Sequence, residues 1–108
     1  MKLKDKRYII NILIALAKSS NLNTNQNDRV LKAVNSLKNA TEIQKERFIK
    51  YYGFDGSGCK KLVDIAKIYD KTASTIRGSV IAIELKLARS DEAFEVIESI
   101  VNECVEKV

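Results

Sequence analysis

Side chains that can hydrogen-bond to a polyanion concentrate in one stretch near the middle of the chain. A guanidinium such as that of Arg77 bonds a guanine edge or a phosphate at two points, and the hydroxyls of Ser74 and Thr75 suit base edges or phosphates. Gly78 permits close approach, although glycine costs about 1 kcal/mol of helix propensity relative to alanine. The predicted chemistry is nucleic-acid binding, and the candidate residues are Lys60, Lys61, Lys71, Thr72, Ser74, Thr75, Arg77 and Gly78.

The spacing around these residues predicts two helices joined by a tight turn. The first helix has an apolar face at helical spacing, made of Leu62, Ile65, Ala66 and Tyr69. Asp70 and Lys71 interrupt that pattern, and the hydroxyl of Thr72 can then cap the second helix. The second helix has one inward stripe, made of Ile76, Val80, Ile83 and Leu87. Such a unit is typical of a DNA-binding helix-turn-helix, and an ordinary helical hairpin is the alternative.

Length and composition predict a single all-α domain of about six helices. The chain has 108 residues, of which 45% are hydrophobic and 31% charged, with four glycines and no proline. That balance favours helices. The helix-turn-helix core is expected in residues 28–89, with accessory helices in residues 1–27 and 90–108.

The charge is unevenly distributed along the chain. The net charge is +5, but residues 90–108 hold six acids and one base, Lys107, which leaves +10 on residues 1–89. A basic body with an acidic tail helix suggests a polyanionic partner for the body, and solubility is the simpler explanation of the same charge.

Outside the central unit, local signals predict where the other helices begin and end. A first helix is expected over about residues 4–18. Its ten-residue apolar run resembles a secretory signal, but the run is too short to span a bilayer. A helix that lies on a membrane surface is the minor alternative. Asn27 or Asp28 is expected to cap the second helix, which ends near Lys38. Thr41 begins a capping box with Gln44. The third helix is expected to end at Gly53, with four residues facing inward: Ile43, Phe48, Ile49 and Tyr52.

The last helix is expected to start at Ser90 or Asp91 and to bear a broad apolar face. That face consists of Phe94, Ile97, Ile100, Val101, Cys104, Val105 and Val108. On the preceding helix, Ile81 and Leu85 point away from the inward stripe, and exposed apolar patches usually mark a partner. We therefore expect a homodimer through the terminal helices, with an interface made of Ile81, Leu85, Phe94, Ile97 and Val101.

The residues that support catalysis or metal binding are few. Histidine is absent, and the two cysteines, Cys59 and Cys104, form no Cys-x-x-Cys pair, so no zinc site is expected. Both thiols are expected to be reduced in the cytoplasm, and a disulfide between them is the alternative. Without paired carboxylates in a recognisable site or a nucleotide motif, the sequence predicts no enzyme and no cofactor.

The segment from Phe48 to Arg89 resembles region 4 of sigma-70-type RNA polymerase sigma factors. The resemblance rests on Tyr52-Gly53-Phe54, a loop over residues 55–60, and Leu62-x-x-Ile65-Ala66 before the turn. Ser74 to Val80 is similar to the recognition helix of the extracytoplasmic-function branch. The resemblance implies a helix-turn-helix fold that binds double-stranded DNA.

The chain also departs from that family. It has no region 2, and the second helix of its helix-turn-helix carries small residues where relatives often place longer polar side chains.

From the resemblance and the charge together, we expect a cytoplasmic, sequence-specific transcription regulator that docks the second helix of the helix-turn-helix in the major groove. The alternative is a module that binds RNA polymerase or a sigma factor and has little affinity for DNA. A membrane partner is not expected.

Overall fold

The helices expected from apolar periodicity are present in the computed structural model, which describes residues 1–106. In chain order they are α1 (Leu3–Lys18), α2 (Thr24–Asn35), α3 (Glu42–Tyr52), α4 (Leu62–Tyr69), α5 (Ala73–Arg89) and α6 (Asp91–Glu106). No strand occurs within the described residues, which confirms an all-α fold of six helices. Lys107, counted in the charge of the tail, and Val108, assigned to the last apolar face, lie outside the described residues.

Two of the expected helix caps form as the sequence indicates. The Thr41 hydroxyl accepts the backbone N–H of Gln44, whose side chain in turn accepts the N–H of Thr41, completing a capping box. Thr72 accepts the N–H of Thr75 at 3.2 Å and thereby caps α5. Each bond satisfies an amide that the first helical turn leaves free.

The start of α2 differs from the prediction. Asn23, and not Asn27 or Asp28, caps the helix: its side-chain oxygen accepts the N–H of Gln26 at 2.8 Å, and the Gln26 side chain accepts the N–H of Asn23 at 3.0 Å. This reciprocal pair fixes the helix start four residues before Asn27. The helix also ends earlier than Lys38, with Ser36 as its C-cap.

The core is built around α5, which packs against each of the other five helices. All four residues of its inward stripe are buried: Ile76, Val80, Ile83 and Leu87. Buried side chains from α1, α2, α3 and α6 join them in one hydrophobic cluster. The long central helix is therefore held from several sides, and its free surface is confined to the leading turn and one flank.

Two of the apolar assignments outside α5 are wrong. Ile43 was expected to face inward, yet it is 51% exposed, while Phe48 and Tyr52 of the same helix are buried. Val105 on α6 is 57% exposed, although the first four residues of its predicted face are buried. Both lie at the end of an amphipathic helix, where the apolar pattern continues beyond the part that the rest of the chain covers.

Candidate nucleic-acid interface

A sharp turn joins α4 to α5, the two helices of the central unit. Asp70 ends α4 in the left-handed conformation, with φ 53° and ψ 49°, which aspartate tolerates better than most side chains. The N–H of Lys71 bonds the carbonyl of Ala66 at 2.9 Å and closes the end of α4. Thr72 then starts α5 in a new direction. The three-residue turn Asp70–Thr72 therefore has the length typical of a helix-turn-helix.

The leading turns of α5 are open to solvent. Ser74, Thr75, Arg77 and Gly78 are exposed, while Ile76 between them is buried. A Cβ added at Gly78 would meet no heavy atom within 4 Å. Within the described chain, these four residues of α5 are therefore open to solvent.

The lysines of the candidate set lie at two places in the chain, immediately before α4 and in the turn between α4 and α5. Lys71 lies in the turn itself and is exposed. Lys61 is the N-cap of α4 and is also exposed. Lys60 is half-buried, and its ammonium donates to the Ser57 hydroxyl at 2.7 Å. The side chains of Lys61 and Lys71 are thus free of hydrogen-bond partners in the described chain, whereas Lys60 has an internal partner.

The two threonines of the candidate set, Thr72 and Thr75, also stabilise the start of α5. Besides the capping bond, their hydroxyl oxygens lie 3.0 Å apart and share a hydrogen bond. The hydroxyls of Thr72 and Thr75 are therefore already engaged in orienting the start of α5. Of the candidate α5 side chains, Ser74 and Arg77 make no hydrogen bond within residues 1–106.

Sequence reasoning missed a groove that runs beside Arg77. This α1–α5 groove has a volume of about 400 Å³, and its walls include Arg7, Lys18, Tyr51, Arg77, Ile81 and Glu84. Arg7 and Lys18 both belong to α1, and a spacing of eleven residues places them near the same face of that helix. The spacing was visible in the sequence, but the packing of α1 across α5 was not.

A carboxylate lies among the cations of the α1–α5 groove. Burial raises the pKa of Glu84 above its ordinary value, while the charges of Arg7 and Lys18 act in the opposite direction. The Tyr52 hydroxyl hydrogen-bonds Glu84, and the pKa of Tyr52 is itself raised, mainly by burial and then by the Glu84 charge. Glu84 is therefore held as a partly desolvated acceptor.

This environment predicts that replacing Glu84 by glutamine stabilises the protein at neutral pH. An acid whose pKa is higher in the folded state destabilises folding when it is ionised, and this cost disappears below the pKa of the unfolded state. We expect Glu84→Gln to raise the thermal midpoint at pH 7, with a gain that shrinks towards zero as the pH falls below about 4.3. Thermal unfolding followed by circular dichroism across this range measures it. A constant gain, or a loss at pH 7, would contradict the assignment.

A buried arginine, which was not predicted from the sequence, joins α3, α4 and α5 around the turn. Arg47 of α3 is only 9% exposed. Its guanidinium donates to the Ser79 hydroxyl of α5 at 2.9 Å and lies 4.8 Å from the ring centroid of Tyr69, the last residue of α4. These contacts hold the end of α4 and the early part of α5 against α3, and so set the direction in which α5 leaves the turn.

The predicted partner interface is largely corrected by the structure. Phe94, Ile97 and Val101 are buried inside the chain, because α6 packs against α1, α2 and α5. Those three side chains leave no surface for a second copy. Ile81 is 40% exposed in the α1–α5 groove, and Leu85 is half-buried.

The two cysteines are separate. Cys59 is exposed and Cys104 half-buried, and both are free thiols in the structure. The Cys59 sulfur lies 3.3 Å from the Tyr52 carbonyl, whereas Cys104 lies near Gln26. The disulfide that the sequence left open is therefore not formed.

Comparison with protein-family models, with curated proteins and with solved structures finds no match for this chain. Over the described part of the chain, no helix combines the length and the apolar character needed to cross a membrane. The geometry of the α4–α5 unit and the chemistry of its exposed residues are therefore the observations that bear on function.

Proposed function

We propose that this chain is a sequence-specific DNA-binding regulator of transcription, built on a helix-turn-helix like that of sigma region 4. The observation that carries the proposal is the division of α5 into two faces. Its apolar stripe is buried along its whole length, while Ser74, Arg77 and Gly78 in its leading turns are open to solvent. An exposed, polar and slender start of a second helix suits insertion into a major groove about 12 Å wide.

Direct reading of bases is assigned to the first two turns of α5. Arg77 supplies a two-point contact to guanine, and Ser74 a hydroxyl for a base edge. Gly78 lies next to Arg77 and adds no bulk, which lets the helix backbone approach the duplex. Thr75 and Thr72 contribute through the cap that orients this turn.

Positioning on the phosphate backbone is assigned to the lysines around the turn and at the start of α4. Lys61 and Lys71 are exposed and make no ion pair within the described chain. Lys60 joins them after exchanging its Ser57 contact for a phosphate. Such contacts set register and orientation without reading sequence, and the charge of +10 on residues 1–89 attracts the duplex.

Salt dependence tests this function directly. Contacts from three lysines and Arg77 predict that the logarithm of the binding constant falls linearly with the logarithm of the salt concentration, with a slope of about −3 to −4. Fluorescence anisotropy with a labelled duplex measures the slope. The triple variant Lys60→Gln, Lys61→Gln, Lys71→Gln should lower its magnitude by about 3. Absence of binding at low salt, or a slope near zero, would exclude the proposal.

The matched control for these variants is Lys32→Gln. Lys32 is exposed on α2 and lines a separate groove with Glu92 and Glu95 of α6. The substitution removes one positive charge, a third of what the triple variant removes, from a surface with no assigned DNA contact, so the slope should stay close to that of the unaltered protein.

Gly78→Ala separates stability from binding. Alanine has a better helix propensity than glycine, and its Cβ meets nothing within 4 Å in the free protein. The free energy of unfolding should therefore rise by up to about 1 kcal/mol. DNA affinity should fall, since the added methyl group occupies the surface that approaches the duplex. Urea denaturation and anisotropy measure the two effects, and unchanged affinity would remove Gly78 from the interface.

A second candidate function has its own supporting observation. Two large apolar side chains of α4 are exposed, Val63 at 53% and Ile68 at 57%, and such surfaces favour a protein partner. On this view the chain binds RNA polymerase or a sigma factor. Binding would then be insensitive to Arg77→Ala and to salt, but would weaken in a Val63→Ser, Ile68→Ser variant.

The remaining partner predictions follow from these two functions. A regulator of either kind works in the cytoplasm beside the polymerase. A homodimer would have to use Ile81 and Leu85 without the buried α6 residues, and light scattering at high micromolar concentration measures the mass. A mass equal to one chain would count against that dimer.

A further inference from the structure

The walls of the α1–α5 groove include three cationic side chains, those of Arg7, Lys18 and Arg77. Across the described residues, Arg7 and Arg77 make neither a hydrogen bond nor a salt bridge. Lys18 makes no hydrogen bond or salt bridge in this part of the chain either; its ammonium lies 6.0 Å and 5.9 Å from the ring centroids of Tyr51 and Tyr52, and its charge acts on Glu84. With Glu84 as the one acid among its charged walls, the groove carries a net charge of about +2. Such a groove attracts an anion.

The acid in the groove indicates that this anion is not a bare phosphate backbone. Glu84 is partly desolvated and accepts a hydrogen bond from Tyr52, and an ionised carboxylate has further lone pairs to offer. It repels a passing phosphate, but it binds a ligand that presents N–H or O–H donors. The occupant must therefore combine a negative group with hydrogen-bond donors.

The other walls add an apolar, partly aromatic surface. Tyr51 is half-buried and Ile81 is 40% exposed, and both line the groove together with Leu62. A planar ring suits such walls. The volume of about 400 Å³ also falls in the range of sites that hold small organic molecules.

We propose that the α1–α5 groove is a binding site for an organic phosphate of mononucleotide size. The phosphate binds the guanidinium groups of Arg7 and Arg77, the planar ring lies against Tyr51 and Ile81, and N–H groups of the base, on the ring or on an exocyclic amine, donate to Glu84. Because Arg77 also belongs to the proposed DNA interface, the ligand weakens DNA binding. Only this coupling rests on the proposed function, and the binding site itself does not.

Titration of the DNA-free protein tests the site on its own. AMP, GMP, CMP and UMP are added in separate calorimetric titrations, with inorganic phosphate as the probe that lacks a ring. At least one monophosphate should bind with a dissociation constant below about 1 mM, and inorganic phosphate should bind at least about tenfold more weakly. Arg7→Gln should weaken the monophosphate by about tenfold, and Lys32→Gln should leave it unchanged.

Glu84→Gln supplies a second readout that a general loss of positive charge cannot imitate. The glutamine amide at position 84 removes both the repulsion of phosphate and the charged acceptor for the N–H groups of the base. The difference in affinity between the monophosphate and inorganic phosphate should therefore narrow. The site is overturned if none of the four monophosphates binds below about 1 mM, if inorganic phosphate binds equally well, or if Arg7→Gln has no effect.

The coupling is measured by repeating the DNA titration with the ligand at saturation. DNA affinity should fall by about 5- to 150-fold, and DNA should weaken the ligand by the same factor. Ligand binding without a change in DNA affinity overturns the coupling and leaves the site standing. A protein that binds the monophosphate but no DNA overturns the proposed function instead.

Discussion

Arg77→Ala is expected to weaken binding of the preferred duplex by about 5- to 150-fold. This range corresponds to the loss of one two-point contact to guanine, worth about 1–3 kcal/mol. Arg77 is exposed and has no hydrogen bond in the described chain, so its removal should leave the fold intact. Anisotropy titrations against the preferred duplex and against single-base variants of it measure both affinity and specificity. The alanine variant should lose discrimination at one base pair.

Arg89→Ala is the matched control for this experiment. Arg89 is the last residue of α5 and is also exposed, and twelve residues of helix place it about 18 Å from Arg77. The substitution Arg89→Ala removes the same charge from the same helix, but at the end of α5 that lies away from the leading turn. If Arg89→Ala weakens binding as much as Arg77→Ala does, then α5 contributes general charge and the specific contact is refuted.

The second large effect concerns the glycine that ends α3. Gly53→Ala is expected to lower the free energy of unfolding by about 2–5 kcal/mol. Gly53 has φ +72°, and a Cβ there would lie 2.3 Å from the carbonyl carbon of Gly58. A left-handed conformation costs a non-glycine residue about 1–2 kcal/mol, and forced displacement of well-packed atoms adds about 1–3 kcal/mol. Urea denaturation measures the loss.

Gly56→Ala is the control for Gly53→Ala. Gly56 has φ +88°, but an added Cβ meets no heavy atom within 4 Å. The two variants therefore share the backbone cost and differ in the clash. Equal losses would show that the close approach of Gly53 to Gly58 adds nothing to the cost of the substitution.

Features encoded over a few neighbouring residues could be predicted from the sequence. Thr41 and Gln44 specify a capping box by themselves, Thr72 caps α5, and Gly53 ends α3 in a left-handed conformation. The α2 cap was missed because several asparagines compete in one polar stretch. The two reciprocal hydrogen bonds between Asn23 and Gln26, the third residue of a capping box, decide in favour of Asn23.

Features that depend on which helices meet could not be predicted. The apolar face of α6 was recognised, but periodicity shows only that a face is apolar and not what covers it. Phe94 was therefore assigned to a second chain when it packs inside its own. The α1–α5 groove and the buried Arg47 depend in the same way on long-range packing. The exposed set on α5 was placed more successfully, because its opposite face carries a continuous stripe.

Selection of bound duplexes from a random DNA pool tests the central claim most directly. We expect enrichment of a short motif with at least one guanine, which Arg77→Ala no longer selects, while Arg89→Ala still enriches the same motif. A pool that remains indistinguishable from its input after repeated rounds at low salt would contradict the assignment of α5 as a helix that reads DNA.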